Sequence, residues 1–478
     1  MKRVLLLLLL SFLCVAQELT ILHTSDIHGA FGKYDNAWLR IATLIRREIA
    51  EHGSENCLVI DTGDVVQGTL LASLTHGKAA IVPLTLLPYD VFVPGNHELD
   101  YGIDCYLELC DGVGDKLLSA NFSIKGHNAP QGWKLFERGG VKVAVIGIQA
   151  SYYANWLLPK EAERCRIERG IAALERLLPE VCASKPNVIV LAIHQGWTEP
   201  KTDARGVNEV AQIAARFPEI DIILGAHTHR VFEGRKIGMK AWYVQPGANG
   251  ENLGVVKVRL KKGKIDNISS QLISTKDVPE DVKLAEALQP YWELEQKELD
   301  RKTGIVLKKE ISSAGKAGSG CETSMFLSKV VAWAGKAEIG FHNKLNEYSL
   351  YKGRITPIQL YRLVPYENTI VTAFVTVEQL EAILSEQERH RKTYRFNDVC
   401  DVKYLPGKKL KIVSIGGKPP ELNRKYKIAM NSHLAAGSGS FTVLRKILET
   451  PEAQTENTKI LVRNAVEEYL RTMQSIDL

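Results

Sequence analysis

From residue 19 onward, short apolar runs alternate with longer stretches whose apolar positions recur at helical spacing. The runs at 19–24, 58–60, 89–93, 141–148, 188–193 and 220–224 are rich in Val, Ile and Leu and predict buried strands. Between the first two, 36–50 places Leu39, Ala42, Thr43, Ile45, Ile49 and Ala50 at the spacing of one helical face. Such alternation implies a layered α/β domain in which helices cover sheets. Residues 244–260, with several glycines followed by alternating apolar positions, predict an antiparallel hairpin that closes it.

After residue 269 the pattern changes. Residues 277–302 are strongly charged, with apolar positions at helical intervals, and predict a connecting helix that Pro290 should kink or interrupt. The remainder, 303–478, shows strand-like runs at 370–377, 410–415 and 426–430 and predicts a second, smaller α/β domain. Within it, AGKAGSG at 314–320 reads as a surface loop, and the absence of GK[ST] excludes a phosphate-cradling motif there.

A length of 478 residues suits two such domains, and 45% hydrophobic with 24% charged residues excludes a disordered chain. The formal charge of +6 favours anionic substrates, but no Lys/Arg run is long enough for a nucleic-acid-binding tail, so no nucleic-acid polymer is expected as a partner. At the N-terminus, Lys2 and Arg3 precede an apolar run over 4–13, and Cys14-Val15-Ala16 puts small residues where a signal peptidase reads. Cleavage after Ala16 and export to the periplasm or medium are expected, which would lower the charge from +6 to +4. The run is too short to span a bilayer as a stable helix, and no membrane span is expected in the mature chain. Eight cysteines include no CxxC pair, which argues against a thiolate zinc site; Cys105 and Cys110 could form a local bridge or stand as buried thiols.

Chemistry-bearing residues collect just after the predicted strands, where open α/β sheets place their ligands. The first strand runs into TSDIHGAF, where Asp26 and His28, two apart in an extended segment, share a side. The second runs into DTGDVVQG, in which Gly63 allows a turn, Asp64 projects and Asp61 reads as a turn-capping residue. VPGNHELD then supplies Asn96, His97 and Asp100, and later strands end in His194 and in GAHTHR with His227 and His229. A lone DxH or HxH is commonly structural, but five such clusters in order, each after a strand, are not. Imidazoles mixed with carboxylate and carboxamide oxygens suit two borderline divalent ions such as Zn or Mn. Two ions about 3.5 to 4 Å apart can share a hydroxide nucleophile and clamp a phosphoryl group. His23, His52, His76, His127, His342, His390 and His433 have no usable partner spacing and read as ordinary histidines.

The order DIH, GDVVQG, GNHELD, H and GAHTH across 19–260 resembles the calcineurin-like metallophosphoesterases. Asp100 three residues after His97, SANF at 119–122 and QPGANGENLG at 245–254 make the chain similar to the 5′-nucleotidase family. That resemblance implies one metal held by Asp26, His28, Asp64 and His229, and a second by Asp64, Asn96, His194 and His227, with Asp64 bridging. It further implies His97 and Asp100 as the catalytic dyad, with His97 stabilising phosphoryl charge or assisting the leaving oxygen and Asp100 orienting the ring. The expected organisation is a signal peptide (1–16), a layered β-sheet metallophosphoesterase domain (17–276), a linker helix (277–302) that serves such families as a hinge, and a smaller α/β C-terminal substrate-binding domain (303–478).

In the C-terminal part, VPYENT at 364–369 resembles the family's PFGNT stretch and NSHLAAGSGSF at 431–441 its NxxLAxGGDGF stretch. The resemblance implies that Tyr366 and Phe441 sandwich a nucleobase. Where the family has NGGGIR, this chain has HNKLNEY at 342–348, which keeps Asn343 as a substrate contact but supplies no Arg. The Arg expected before the domain's first helix is also absent, with Thr323 nearest, and the acidic residue of GGDG is replaced at Gly439 or Ser440. Losing guanidiniums removes a bidentate phosphate clamp, so the chemistry is better specified than the substrate. The expected activity is hydrolysis of nucleotides to nucleoside and phosphate, in nucleotide catabolism. The alternatives are a 2′,3′-cyclic nucleotide phosphodiesterase, a UDP-sugar hydrolase, a thiosulfohydrolase or a non-catalytic binding protein.

Overall fold

The computed structural model describes residues 17–474 except 154–155, 200–206, 317, 319, 392 and 408. The expected signal peptide, 1–16, lies outside the described residues. Strands in the N-terminal part are apolar on both faces because both faces are covered. In Val188–Ile193, Val188, Val190 and Ala192 enter one core cluster while Ile189, Leu191 and Ile193 enter another. Likewise in Gln17–Thr24, Leu19 and Ile21 face the first cluster and Leu22 faces the opposite way.

The shared cluster is the space between two sheets. One sheet has the order Lys264–Ser274, Asn252–Lys261, Gln17–Thr24, Cys57–Asp61, Val91–Phe92. The other has the order Val231–Ile237, Ala241–Pro246, Ile222–Leu224, Val188–Ile193, Val141–Ile148, Trp133–Arg138. Helix Ala37–His52 covers the outer face of the first sheet, and helices Gly170–Ala183 and Val210–Arg216 cover that of the second. Strands in the middle of both sheets run parallel, so their carboxyl ends gather at one rim of the sandwich.

Residues 244–260 do not form the expected hairpin. Ala241–Pro246 pairs within the second sheet and Asn252–Lys261 within the first, so the turn between them crosses from sheet to sheet. Gly247 and Gly250 supply the positive φ values that this crossing uses, 98° and 66°. The hairpin that closes the first sheet is Asn252–Lys261 with Lys264–Ser274. Period-two apolarity reports that each strand is half buried, and it is the same whichever sheet the strand joins.

Helix Val282–Leu299 occupies the expected connecting segment and starts on Asp281, whose carboxylate accepts from Leu284 N at 2.8 Å. It runs through Pro290 rather than stopping there. Pro290 and Glu286, whose carbonyl loses its partner, both lie on the exposed face, where water can replace the missing bond. Leu284 and Leu288 are fully buried in the N-terminal core. At the helix's far end Arg301 forks onto Glu467 at 2.7 and 2.9 Å, tying it to the last helix, Val462–Gln474.

The C-terminal part is a mixed sheet in the order Asn397–Val399, Ile339–Asn343, Lys425–Asn431, Thr369–Thr376, Glu456–Leu461. Helices Val377–Glu388 and Thr442–Leu448 pack on one face, and Glu322–Ala334, Pro357–Leu363 and Val462–Gln474 on the other. The chain is thus a two-domain α/β protein, and among the described residues no helix is long and apolar enough to cross a membrane. Cys57, Cys105, Cys110, Cys165, Cys182, Cys321 and Cys400 are all free thiols, so Cys105 and Cys110 form no bridge.

Leu284→Ala removes apolar volume from the joint between the connecting helix and the N-terminal core. It is expected to cost about 2–5 kcal/mol of stability, read as a lower urea midpoint followed by circular dichroism.

Candidate metal centre

The rim formed by the strand ends draws the polar clusters into one site, buried at Asp26, Asp64 and His194 and open to solvent at His229. Asp26 follows the first strand, Asp64 the second, Asn96 and His97 the third, and His194, His227 and His229 follow strands of the opposite sheet. Asp26, His28, Asp64, His227 and His229 all have left-handed backbone, with φ between 51° and 68°. Non-glycine residues in that region carry a local cost of about 1–3 kcal/mol each and persist where surrounding structure holds them. Here hydrogen bonds between loops do so: Asp26 N donates to Gly63 O at 2.8 Å, His28 N to Asp64 O at 2.9 Å, and Asn249 N to Asp26 O at 2.7 Å.

Asp64 lies at the centre. One carboxylate oxygen accepts from His97 N at 2.8 Å, and the other faces His194 Nε2 at 3.1 Å. Asn96 Oδ1 stands 3.2 Å from the same His194 nitrogen, and Asp26 accepts from His227 N at 3.0 and 3.1 Å. His229 Nε2 is 3.5 Å from Asp26 Oδ1 and 2.9 Å from His28 Nε2. Donor atoms of Asp26, His28, Asp64 and His229 all lie within 4.8 Å of one another, as do those of Asp64, His194 and His227. Asp64 is common to both groups, and Asn96 joins the second through its contact with His194.

Ring orientation favours metal ligation. His28 Nδ1 is 3.2 Å from Gln67 O and His194 Nδ1 is 2.5 Å from Thr62 O. A carbonyl only accepts, so each Nδ1 donates and each Nε2 is turned inward as a ligand atom. The facing Nε2 atoms of His28 and His229 are two such lone pairs aimed at a common point. The donor set and its aim therefore fit two divalent cations sharing Asp64. Gly95 makes room for them: a Cβ there would lie 2.3 Å from Asp64 Oδ1 and 2.4 Å from His194 Cε1.

Electrostatics follow from burial and from Asp64. Burial pushes the Asp26 carboxyl up to about 7, with Asp64 adding repulsion and His194 opposing it. Burial lowers His28 to about 4, His227 to about 3, and His229 as well. At His194 burial opposes protonation, but the Asp64 carboxylate outweighs it and raises the ring to about 9. At His97 burial again opposes, and the carboxylates of Asp100 and Asp64 outweigh it, raising the ring to about 10. Asp64 itself is held well below its usual value: burial pushes upward, and His194 and His97 more than compensate. His97 Nδ1 meets Asp100 Oδ2 at 2.7 Å.

Two residues without an assigned role in the sequence reading prove central. Glu98, 2% exposed, accepts from Asp64 N at 2.9 Å, Val65 N at 2.8 Å and also from Gly95 N, stapling the loop of Asp64 to the loop of Asn96. Gln67 orients His28 through its carbonyl and reaches across the domain seam to Pro365 O at 3.0 Å. Asp61 caps its turn as expected, accepting from Gly63 N at 2.8 Å and Thr24 Oγ1 at 2.6 Å.

The residues expected on the substrate side separate. Tyr366 is 38% exposed and close enough to Asp100 to feel its charge. Asn343 ends its strand with its side chain 3.5 Å from Tyr394 O. Phe441 is 2% exposed in the C-terminal core, with its ring 4.9 Å from that of His390. His433, which spacing left as an ordinary histidine, is exposed and within electrostatic reach of His97. No signal in spacing marks it, because the strand and helix that present it belong to the other domain.

Residues 19–231 match the family of calcineurin-like phosphoesterases, and 302–446 match that of the 5′-nucleotidase C-terminal domain. A 5′-nucleotidase of Vibrio vulnificus is 24% identical, with 96% of this chain and 91% of that protein covered. A crystal structure of a putative 5′-nucleotidase from Staphylococcus aureus superposes with a TM-score of 0.81 at 18% identity, covering 95% of this chain and 96% of that one. A 5′-nucleotidase precursor from Thermus thermophilus gives 0.71 at 21% identity, covering 95% and 96%. The two-domain fold is shared with both.

Protons and cations compete for this centre. As pH rises past about 7 Asp26 loses its proton, and past about 9 His194 does, while His28 and His227 are already neutral. Affinity of the metal-free protein for Mn or Zn is therefore expected to rise from pH 6 to pH 9.5. Binding near pH 6.5 should release about one to two protons, a number that shrinks at high pH. Calorimetry in buffers of different ionisation enthalpy measures it.

Proposed function

Because this chain belongs to the 5′-nucleotidase family, a calcineurin-like phosphoesterase domain followed by that family's C-terminal domain, we propose that it hydrolyses nucleotides to nucleosides and phosphate. In this reading 17–276 is the catalytic domain, 277–302 the linker and 303–478 the substrate-binding domain, and the leader pattern of residues 1–16 directs export. The observation that carries the proposal is the seven-residue donor cluster around Asp64, with the His97–Asp100 pair set against it.

Asp26, His28, Asp64 and His229 would hold one divalent cation, and Asp64, Asn96, His194 and His227 the other. When bound, such ions supply a water of lowered pKa and a positive clamp for phosphoryl oxygens. The protein's own part is positional and electrostatic. Thr62 O and Gln67 O fix the tautomers of His194 and His28, and Glu98 keeps Asp64 and Asn96 at one depth. Asp100 occupies Nδ1 of His97, leaving Nε2 as the atom that meets substrate. In the metal-free protein burial opposes protonation, but Asp100 and then Asp64 outweigh it and raise the ring to about 10, and beside bound cations Asp100 would still favour the imidazolium. It can stabilise charge growing on the phosphoryl group and give its Nε2 proton to a departing alkoxide, a far stronger base. Tyr366, partly exposed and within electrostatic reach of Asp100, offers a π-face on which a nucleobase can stack.

A second reading is favoured by one feature, the lack of any Arg in 342–348 beside Asn343. A substrate that needs no bidentate phosphate clamp, such as a cyclic nucleotide, a nucleotide sugar or a thiosulfonate, would tolerate that loss.

The test is chromatographic product analysis together with phosphate release by residues 17–478 loaded with Mn or Zn, offered AMP, 2′,3′-cyclic AMP, UDP-glucose and an aryl phosphate. AMP is expected to be preferred, and His97→Ala to lower kcat by about 10²- to 10⁴-fold. Turnover of the aryl phosphate with no response to any nucleotide would sink the nucleotidase reading.

A further inference from the structure

The segment 364–368 abuts the loop of Asp64 at Gln67 and holds Tyr366 within electrostatic reach of Asp100, yet it belongs to the C-terminal domain and has no regular structure of its own. Its position is imposed from outside. Val364 O accepts from Arg463 Nη1 at 3.2 Å, Pro365 O from Gln67 Nε2 at 3.0 Å, and Asn368 O from Val462 N at 2.9 Å. The Glu367 carboxylate, only 4% exposed, takes Arg463 Nη2 at 2.5 Å. The same Arg463 nitrogen donates to Ser73 Oγ at 2.7 Å, on the short helix Leu70–Leu74 of the N-terminal domain. Between these bonds only the Tyr366 side chain is left displayed.

Resting on the proposed nucleotide reading, we infer that Arg463 is a positioning residue that bolts segment 364–368 across the domain seam and so sets the Tyr366 ring beside the His97–Asp100 pair. The guanidinium serves a backbone carbonyl and a carboxylate of segment 364–368 and a hydroxyl on the helix Leu70–Leu74, and it lies 4.8 Å over the Tyr361 ring. A planar five-donor fork can do this, and an ammonium cannot. Glu367 needs the partner, because its buried charge is within electrostatic reach of Asp100. Without Arg463 two carboxylates would face one another in a poorly solvated place, and the loop would turn Glu367 out to water, taking Tyr366 with it.

Gln67 gives the arrangement its second anchor. Its carbonyl orients metal ligand His28 and its side chain holds Pro365, so segment 364–368 is referenced to the metal loop directly. One turn on from Arg463 the same helix is fixed by the Arg301–Glu467 fork. Loss of Arg463 should therefore weaken contact with the base of a substrate while sparing the part of the site that handles phosphate.

The experiment pairs two readouts on metal-loaded Arg463→Ala, Arg463→Lys, Tyr366→Ala and the Arg463→Ala/Tyr366→Ala double variant. Hydrogen exchange reads the segment itself, and kinetics compares AMP with ribose 5-phosphate, which has the sugar and phosphate but no base. Arg463→Ala should exchange at 364–368 about tenfold faster or more, with the rest of both domains unchanged. Its KM for AMP should rise about ten- to a hundredfold, with kcat and the ribose 5-phosphate kinetics affected much less. Tyr366→Ala should show the same AMP loss, the double variant should be no worse than either, and Arg463→Lys should lie between. Unchanged exchange at 364–368, equal losses on both substrates, or additive effects in the double variant would each overturn the assignment. If wild type turns over ribose 5-phosphate as well as AMP, the nucleotide reading fails by itself. Exchange at 364–368 then decides the bolt: faster in Arg463→Ala supports it, unchanged overturns it.

Discussion

Asp64 is a carboxylate with 1% of its surface exposed, and a charge so buried persists only if opposite charge or N–H donors surround it. Much of the site answers that requirement. His97 N and His194 approach its two oxygens, and Glu98 holds its backbone, while Gly95 stays small enough for all of them to meet. In the metal-free protein the protonated rings of His194 and His97 balance it. Divalent cations would take over that role and invert the local preferences, favouring ionised Asp26 and a neutral His194.

The same requirement explains the backbone. Five of the candidate ligands sit in left-handed conformation because strand ends from two sheets must turn sharply to aim at one point. The cost is offset by bonds from loop to loop, such as Asp26 N to Gly63 O and Asn249 N to Asp26 O. The turn at 247–251 contributes here because it crosses between the sheets. As the closing hairpin expected from its sequence, it would lie on one sheet alone. The connection between domains then reaches the centre through Gln67, three residues after Asp64, whose side chain contacts Pro365. Metal loop and substrate-side loop are thus neighbours through one residue.

Much of this was legible in the chain because it is local. The strands betrayed themselves by runs apolar on both faces, and the candidate ligands Asp26, His28, Asp64, Asn96, His194, His227 and His229 by following those strands within a few residues, while their division into two sets rested on the family resemblance. The helix at 282–299 was legible for the same reason, although Pro290 misled: the cost of proline depends on whether its orphaned carbonyl can reach water, and that is a matter of facing. Phe441 and His433 show the opposite limit. Both follow the strand Lys425–Asn431, yet one ring lies in the core beside His390 and the other is exposed within electrostatic reach of His97.

By itself the sequence determined the fold class, the principal strands of the first domain, the connecting helix and the candidate ligand side chains, since periodicity and short motifs depend on neighbours along the chain. Tertiary structure alone decided which sheet each strand joined, that Glu98 and Gln67 would serve as braces, and that Arg463 would stand almost four hundred residues from Ser73 and still touch it. Those outcomes rest on contacts between segments remote in sequence. Such contacts follow from packing and from the need to pair buried polar groups, and neither leaves a local signature.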